Sequence, residues 1–306
     1  MIATLVAAML FITAPAAAQP SNLDEMRQRA LELVNQSRTE NGLPPLSLGS
    51  EANQAAQNHA NDMLRRNYYA HTSPEGETVQ DRYVAAGGSK WRLTAENIAR
   101  CADCAPPVSM DRIERLHRGW MQSPEHRHNI LRRGLTEFGY GIAVNEDQGL
   151  YAVQTFAGPG MPRNLQAGET PTAIAPEEQT RLAVERINRA RRNAGLAPIM
   201  SSDPLNDAAR SIAPGGLESA QGNALFEALP RDSRAGWRSL SALSATCGGC
   251  GTQPTASDVR FFVDQWLNDG GRESALLSPD MTHLGFAIAA DGTGKKTAVA
   301  LMGQKR

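Results

Sequence analysis

The stretch Val34-Asn35-Gln36-Ser37-Arg38-Thr39-Glu40-Asn41-Gly42-Leu43-Pro44-Pro45-Leu46 returns later in the chain as Ile187-Asn188-Arg189-Ala190-Arg191-Arg192-Asn193-Ala194-Gly195-Leu196-Ala197-Pro198-Ile199. Asn35 and Asn188 stand 153 residues apart. A second shift, of 146, then holds without a break: Trp91 to Trp237, Cys101 to Cys247, Cys104 to Cys250, Trp120 to Trp266 and Gly139 to Gly285. That one shift pairs all four Trp and all four Cys of the chain. Self-similarity at a fixed period marks one structural unit written twice, and 306 residues suit two domains. The drop from 153 to 146 means that the second copy lacks about seven residues between the two blocks.

Outward from the repeat, the rest of the chain falls into place. Residues 1–18 read as a signal peptide: an apolar run from Ile2 ends in Ala16-Ala17-Ala18, the small-x-small pattern of a cleavage site. The run has no Lys or Arg ahead of it, unlike a standard leader. No later segment is long and apolar enough to span a bilayer. The expected location is therefore secreted or periplasmic. A first domain is expected over 23–157 and a second over 177–304. Between them, 158–176 holds Pro159, Pro162, Pro171 and Pro176 with Gly158, Gly160 and Gly168, a composition that suits a connector without regular structure. Pro176 followed by Glu177 and Glu178 marks a helix start. A formal net charge of −1, with no basic run or acidic tail, gives no footing for nucleic acid.

Helical spacing is visible at Leu23, Met26, Ala30, Leu33 and Val34, again at Ala52, Ala55, Ala56, His59 and Met63, and over Met110–Met121. Strands are expected at Phe138–Val144 and Tyr151–Phe156, then at Leu284–Ala289 and Thr297–Met302. Helices followed by short strands predict an α+β fold in each copy. The cysteines form two Cys-x-x-Cys pairs. The 142 residues between them are far from zinc-ribbon spacing, and the flanking Pro106-Pro107 and Gly248-Gly249 suit loops rather than a redox helix start. Two local disulfides, Cys101–Cys104 and Cys247–Cys250, are expected.

The first copy carries Tyr69-Ala70-His71-Thr72-Ser73-Pro74-Glu75-Gly76, then Ala95-Glu96-Asn97-Ile98-Ala99, then Trp120-Met121-Gln122-Ser123-Pro124-Glu125-His126-Arg127-His128-Asn129, then Phe138-Gly139-Tyr140-Gly141. In that order these blocks resemble the CAP superfamily of cysteine-rich secretory proteins, venom allergens and plant pathogenesis-related proteins, in its bacterial form. The resemblance spans residues 26–157. It implies an α-β-α sandwich with a cleft holding two His and two acidic residues. By that resemblance His71 and His126 are the two histidines and Glu96 is one acid. The second acid of eukaryotic members falls on Ser123 here. The disulfides then pin a loop beside this cleft.

Two neutral imidazoles are donors for zinc or another divalent cation, and a carboxylate orients an imidazole or activates water. The metal candidates are thus His71 and His126, with Glu96 the candidate base and Ser123 a cleft residue. The structural alternative is a hydrogen-bonded His71/His126 pair that braces the cleft. His59 sits on an apolar helix face and reads as a core histidine; His117 and His128 read as surface residues. No Gly-x-Ser-x-Gly elbow supports a serine hydrolase.

In the second copy Glu96 becomes Ala242 and His126 becomes Arg272, and no His occurs from Gly134 to Thr282. The scaffold positions persist while the site is lost. Three functions remain open: a non-enzymatic module binding a cation, lipid, peptide or other envelope component; a metal-assisted hydrolase with Glu96 as base; and a structural envelope protein.

Overall fold

The computed structural model describes residues 21–219 and 224–306, so the expected signal peptide lies outside the described residues. The first copy runs α1 (Leu23–Glu40), β1 (Ser47–Leu48), α2 (Ser50–Arg66), α3 (Val79–Ala85), β2 (Leu93–Cys101), α4 (Met110–Gln122), α5 (Pro124–Ile130), β3 (Glu137–Asn145) and β4 (Gly149–Gly158). The second runs α6 (Pro176–Asn193), β5 (Met200–Ser201), α7 (Asp203–Ile212), α8 (Ala224–Glu227), β6 (Trp237–Cys247), α9 (Ala256–Leu267), α10 (Gly270–Leu276), β7 (His283–Ala290) and β8 (Lys296–Lys305). The two sheets share one topology, β1-β3-β4-β2 and β5-β7-β8-β6. The short first strand is parallel to its neighbour, and the other pairings are antiparallel. The α+β expectation holds, as two tandem α-β-α domains, and the strands expected late in each copy lie inside β3, β4, β7 and β8.

Alternation along β3 builds the sandwich. Phe138, Tyr140 and Ile142 face a core shared with Met26, Val34, Ile113 and Trp120 of α1 and α4. The residues between them face α2, where Ala143 joins Ala56, Ala60 and Met63. A Cβ on Gly139 would come within 2.0 Å of the Ala52 carbonyl carbon, and one on Gly141 within 2.3 Å of that of Ala56. Glycine on the strand and alanine on the helix let α2 lie directly on the sheet. Gly285 does the same under α7, 2.1 Å from Leu205, which explains why Gly139 and Gly285 pair in the repeat.

The repeated Asn and Arg have equally specific tasks. Asn35 donates to the Leu46 carbonyl (2.9 Å) and accepts from the Leu46 amide (2.7 Å); Asn188 does the same with Ile199 (2.9 and 2.8 Å). Arg38 is fully buried and donates to the carbonyls of Pro44 (2.9 Å), Ile130 (2.8 Å) and Arg132 (3.0 Å). Arg191 donates to the matching carbonyls of Ala197, Leu276 and Ser278 at 2.8, 2.8 and 2.9 Å. Each guanidinium ties the end of one helix to the loop after it and to the end of another helix.

The copies touch through the second disulfide loop. Gly249 N–H donates to the Trp91 carbonyl (2.7 Å) and Gly251 N–H to that of Pro159 (2.8 Å). Cys250 also bridges to Gly160, while Arg163 donates to the Gly248 carbonyl (3.1 Å). The 158–176 segment is mostly exposed and is tethered to the second domain by Ile174 N–H to Pro254 (3.1 Å) and an Arg260–Glu169 ion pair.

One histidine corrects the sequence reading. His117, expected at the surface, is buried and shares a 2.9 Å hydrogen bond with Ser37. It lies on the Ile113–Trp120 stripe of α4, so the helix that buries Trp120 buries it too. Burial pulls its imidazole down to about 4.

Two outcomes follow for stability. Arg38→Met should cost the first domain, and Arg191→Met the second, roughly 2–4 kcal/mol in denaturant unfolding, because each removes the buried donor that ties the loop after its helix to the end of another helix and leaves the buried Ile130 or Leu276 carbonyl without that partner. The His117 shift is downward, so the unfolded chain takes up the proton first and stability falls with pH below the ordinary histidine range. Unfolding free energy should drop by about 2 kcal/mol between pH 7 and pH 5 from this group alone, and by less in His117→Gln.

Candidate functional site

The site forms along β2, the edge strand of the first sheet. Its even-numbered side chains face α2 and α3 and its odd-numbered ones face α4 and α5, so Glu96 and Asn97 point to opposite sides. Glu96 is met by α3. The start of α3 is fixed by a capping box between Thr78 and Asp81, which sets Arg82 one turn in. Arg82 donates to Glu96 Oε2 (2.8 Å) and to the backbone carbonyls of Glu77 (2.9 Å) and His71 (2.8 Å).

His71 arrives on the loop that follows α2. Asn67 caps α2 in the left-handed region, at φ 51°, and three contacts then pin the loop. Tyr68 donates to Asp62 (2.7 Å), Tyr69 donates to the Ile98 carbonyl (3.1 Å), and His59 Nε2 meets the Ala70 carbonyl at 3.0 Å. His71 Nδ1 thereby lies 2.9 Å from Glu96 Oε1. A carboxylate paired with arginine only accepts, so Nδ1 carries the proton and Nε2 is left free. The Glu96 side chain is 2% exposed and that of His71 56%: the carboxylate is interior while the imidazole faces out.

On the other side, Asn97 donates to Gln154 (3.0 Å) and to the His126 carbonyl (3.2 Å). Asn129 donates to the Glu96 carbonyl (2.9 Å) and to Asn97 Oδ1 (3.0 Å). These bonds fix α5, and with it His126, against the strand. Burial, then the positive charge of His71, pulls the His126 imidazole below its ordinary value, with Glu125 opposing. The two imidazoles thus sense each other. Ser123 lies at the α4–α5 junction. It and His126 line a groove of about 430 Å³ between β2 and α4, with Tyr69, Trp120 and Cys101 also on its wall. Both expected disulfides are present, and Cys101–Cys104 borders this groove.

His59, read as a core histidine, is 1% exposed and also lies 3.8 Å from Glu96 Oε1; burial holds its imidazole low. Arg82, Asn97, Asn129 and Tyr69 were not singled out by sequence reasoning. Asn97 directly follows Glu96, and Asn129 stands one helical turn after His126, so the motif blocks contained the signal for both. Arg82 carried none.

Among the described residues, no group of three or more His, Cys, Asp and Glu gathers as a metal site. Both Glu96 oxygens are engaged, and Ser123 supplies no carboxylate. The nitrogen donors left are His71 Nε2 and the His126 ring. With both Glu96 oxygens engaged, this set does not fit a three-ligand hydrolytic centre.

The chain belongs to the cysteine-rich secretory protein (CAP) family, whose model matches residues 31–156 and again 184–302. Among relatives, an uncharacterised protein of Bacillus subtilis (strain 168), YkwD, is 30% identical over 45% of this chain and 49% of its own length. An uncharacterised membrane protein of the same organism, YlbC, is 29% identical over 38% of this chain and 31% of its own. The chain therefore spans half or less of these relatives. An extracellular protein with an SCP domain from Bacillus anthracis, known from a crystal structure, is 29% identical over 44% of this chain and 40% of its own, with a TM-score of 0.36.

Removing the His71 charge should raise the pKa of His126, since that charge is one of the two causes that lower it. NMR titration of His126 in wild type and in His71→Ala checks this; an unchanged midpoint would mean that the two rings do not sense each other.

Proposed function

We propose that the chain is a non-enzymatic binding module that acts outside the cytoplasm, secreted or periplasmic. The ligand sits in the groove of the first domain, which His126 lines, and the exposed His71 imidazole is the second candidate donor for a divalent cation beside it. The state of Glu96 carries this reading. A general base needs an oxygen within reach of the water or substrate it deprotonates. Here one oxygen is held by Arg82 and the other by His71, in a side chain that is almost fully buried. A carboxylate so placed orients an imidazole, as the outer carboxylates of metal-bound histidines do. The cation would take His71 Nε2 and His126, and its chemistry would be to attract an anionic or carbonyl group of the ligand.

Two disulfides in a chain with an apolar N-terminal run support an oxidising compartment. Among the described residues no helix is long and apolar enough to cross a membrane. The second domain lacks the histidines and Glu96 and docks through its Cys247–Cys250 loop on the start of β2. Its proposed role is to hold that edge strand in place.

Titration calorimetry with ZnCl2 tests the cation reading. Wild type should release binding heat, and His71→Ala/His126→Ala should release none. Heat that survives the double substitution would put the cation elsewhere. A peptide and ester substrate screen tests the absence of catalysis: turnover by wild type that disappears in the double variant would overturn the non-enzymatic reading.

A further inference from the structure

The groove beside β2 carries charge that the molecule itself does not use. Arg100, Arg112 and Arg115 all line it, and no acidic residue does. Arg100 leans on the Tyr151 ring at 5.1 Å and donates weakly to Asn67 (3.4 Å). Arg112 reaches only the Cys101 sulfur, at 3.7 Å. Among the described residues neither Arg112 nor Arg115 has a carboxylate partner, whereas Arg29, Arg66 and Arg82 of the same domain do. The second copy dispensed with this charge: Arg112 becomes Asp258, which pairs with buried Lys296 at 2.5 Å, and Arg115 becomes Phe261.

The wall of the groove is also a sheet edge. The outward carbonyl of Glu96 is capped by Asn129, and that of Ile98 by both Tyr69 (3.1 Å) and Trp120 Nε1 (3.0 Å). Alternation puts the backbone of Arg100 outward as well, and among the described residues no side chain caps it there. An extended chain laid into the groove would meet the outward backbone of Arg100, which has no partner on that side among the described residues, and guanidinium groups from α4 on its other flank. The exposed face of Tyr69, 46% accessible, and the His126 ring lie further along.

We infer that this groove takes an acidic, extended peptide segment of a partner protein, which adds to the open edge of β2 near Arg100 and places carboxylates on Arg112 and Arg115. This rests on the reading of the groove as the binding site and names the class of its ligand. Main-chain pairing with the edge would give affinity and the arginines specificity for acid side chains. A lipid headgroup would use the arginines but not the edge.

Selection of a random-peptide display library on the full chain tests this, with winners re-measured by fluorescence anisotropy. The winners should be rich in Asp and Glu, lose about ten-fold or more in affinity against Arg112→Gln/Arg115→Gln, and weaken with added salt. Circular dichroism and thermal melts confirm that the variant is folded. Winners that are neutral or basic, winners indifferent to the substitutions, or no enrichment at all would overturn the inference. Sedimentation with phosphatidylglycerol vesicles is the second arm. Arginine-dependent vesicle binding without peptide enrichment would also overturn it, while leaving the binding-module reading in place. The zinc titration stands apart, because it depends on His71 and His126 and not on these arginines.

Discussion

A guanidinium with no access to water, Arg38 in the first copy and Arg191 in the second, bonds to backbone carbonyls of the loop after its own helix and of the end of another helix and the residues beyond it, three for Arg38 and four for Arg191. A buried charge is tolerated only when it is hydrogen-bonded, and in Arg38 Nε and Nη1 carry those bonds while Nη2 has no partner among the described residues. Each arginine therefore demands that the loop after its helix and the end of the fifth helix of its copy sit in one arrangement. In the first copy that helix is α5, which carries His126 and Asn129. The same contact that closes the core therefore sets how far the His126 helix stands from the edge strand. Asn35 and Asn188 reinforce it by fixing the far end of the same loop, just before the short first strand, on the helix.

Scaffold and site separate cleanly between the copies. Gly139 and Gly285, Asn35 and Asn188, Arg38 and Arg191 make matching contacts in both. Glu96 and His126 are replaced by Ala242 and Arg272, and the arginines of the groove by an internal ion pair and a phenylalanine. What remains of the second copy is a folded body whose Cys-Gly-Gly-Cys loop rests on Trp91 and Pro159. Glycines on both sides make that rest close: a Cβ on Gly160 of the connector would lie 2.0 Å from the Gly249 carbonyl oxygen, and one on Gly249 3.2 Å from Leu93. The corresponding Cys101-Ala102-Asp103-Cys104 loop of the first copy is instead left at the mouth of the groove.

The repeat was legible because Trp and Cys are rare and pair at one shift, and the late strands were legible because they are continuously apolar. Strand β2 was not read as a strand. Glu96 and Asn97 sit at its centre, and their burial depends on Arg82 and Gln154, which no local pattern reveals, as well as on His71 and Asn129 from other motif blocks. The surface position expected for His117 fails because its spacing from Ile113 and Trp120 puts it on the buried stripe of α4. His71, Glu96 and Ser123 were found only through resemblance to a family; what Glu96 does came from the geometry, since Arg82 lies 14 residues away with no motif to mark it. The CAP family explains why these blocks occur together, and hydrogen-bond satisfaction explains why Glu96 holds an imidazole here rather than a water.

The central claim is that Glu96 is fully committed and leaves His71 with its outer nitrogen free. Long-range proton–nitrogen correlation on the imidazole of His71 measures this directly at a pH where the ring is neutral. The account predicts the tautomer with the proton on Nδ1 and an unprotonated Nε2, and loss of that preference in Glu96→Gln. A proton resting on Nε2 in the wild-type protein would contradict it.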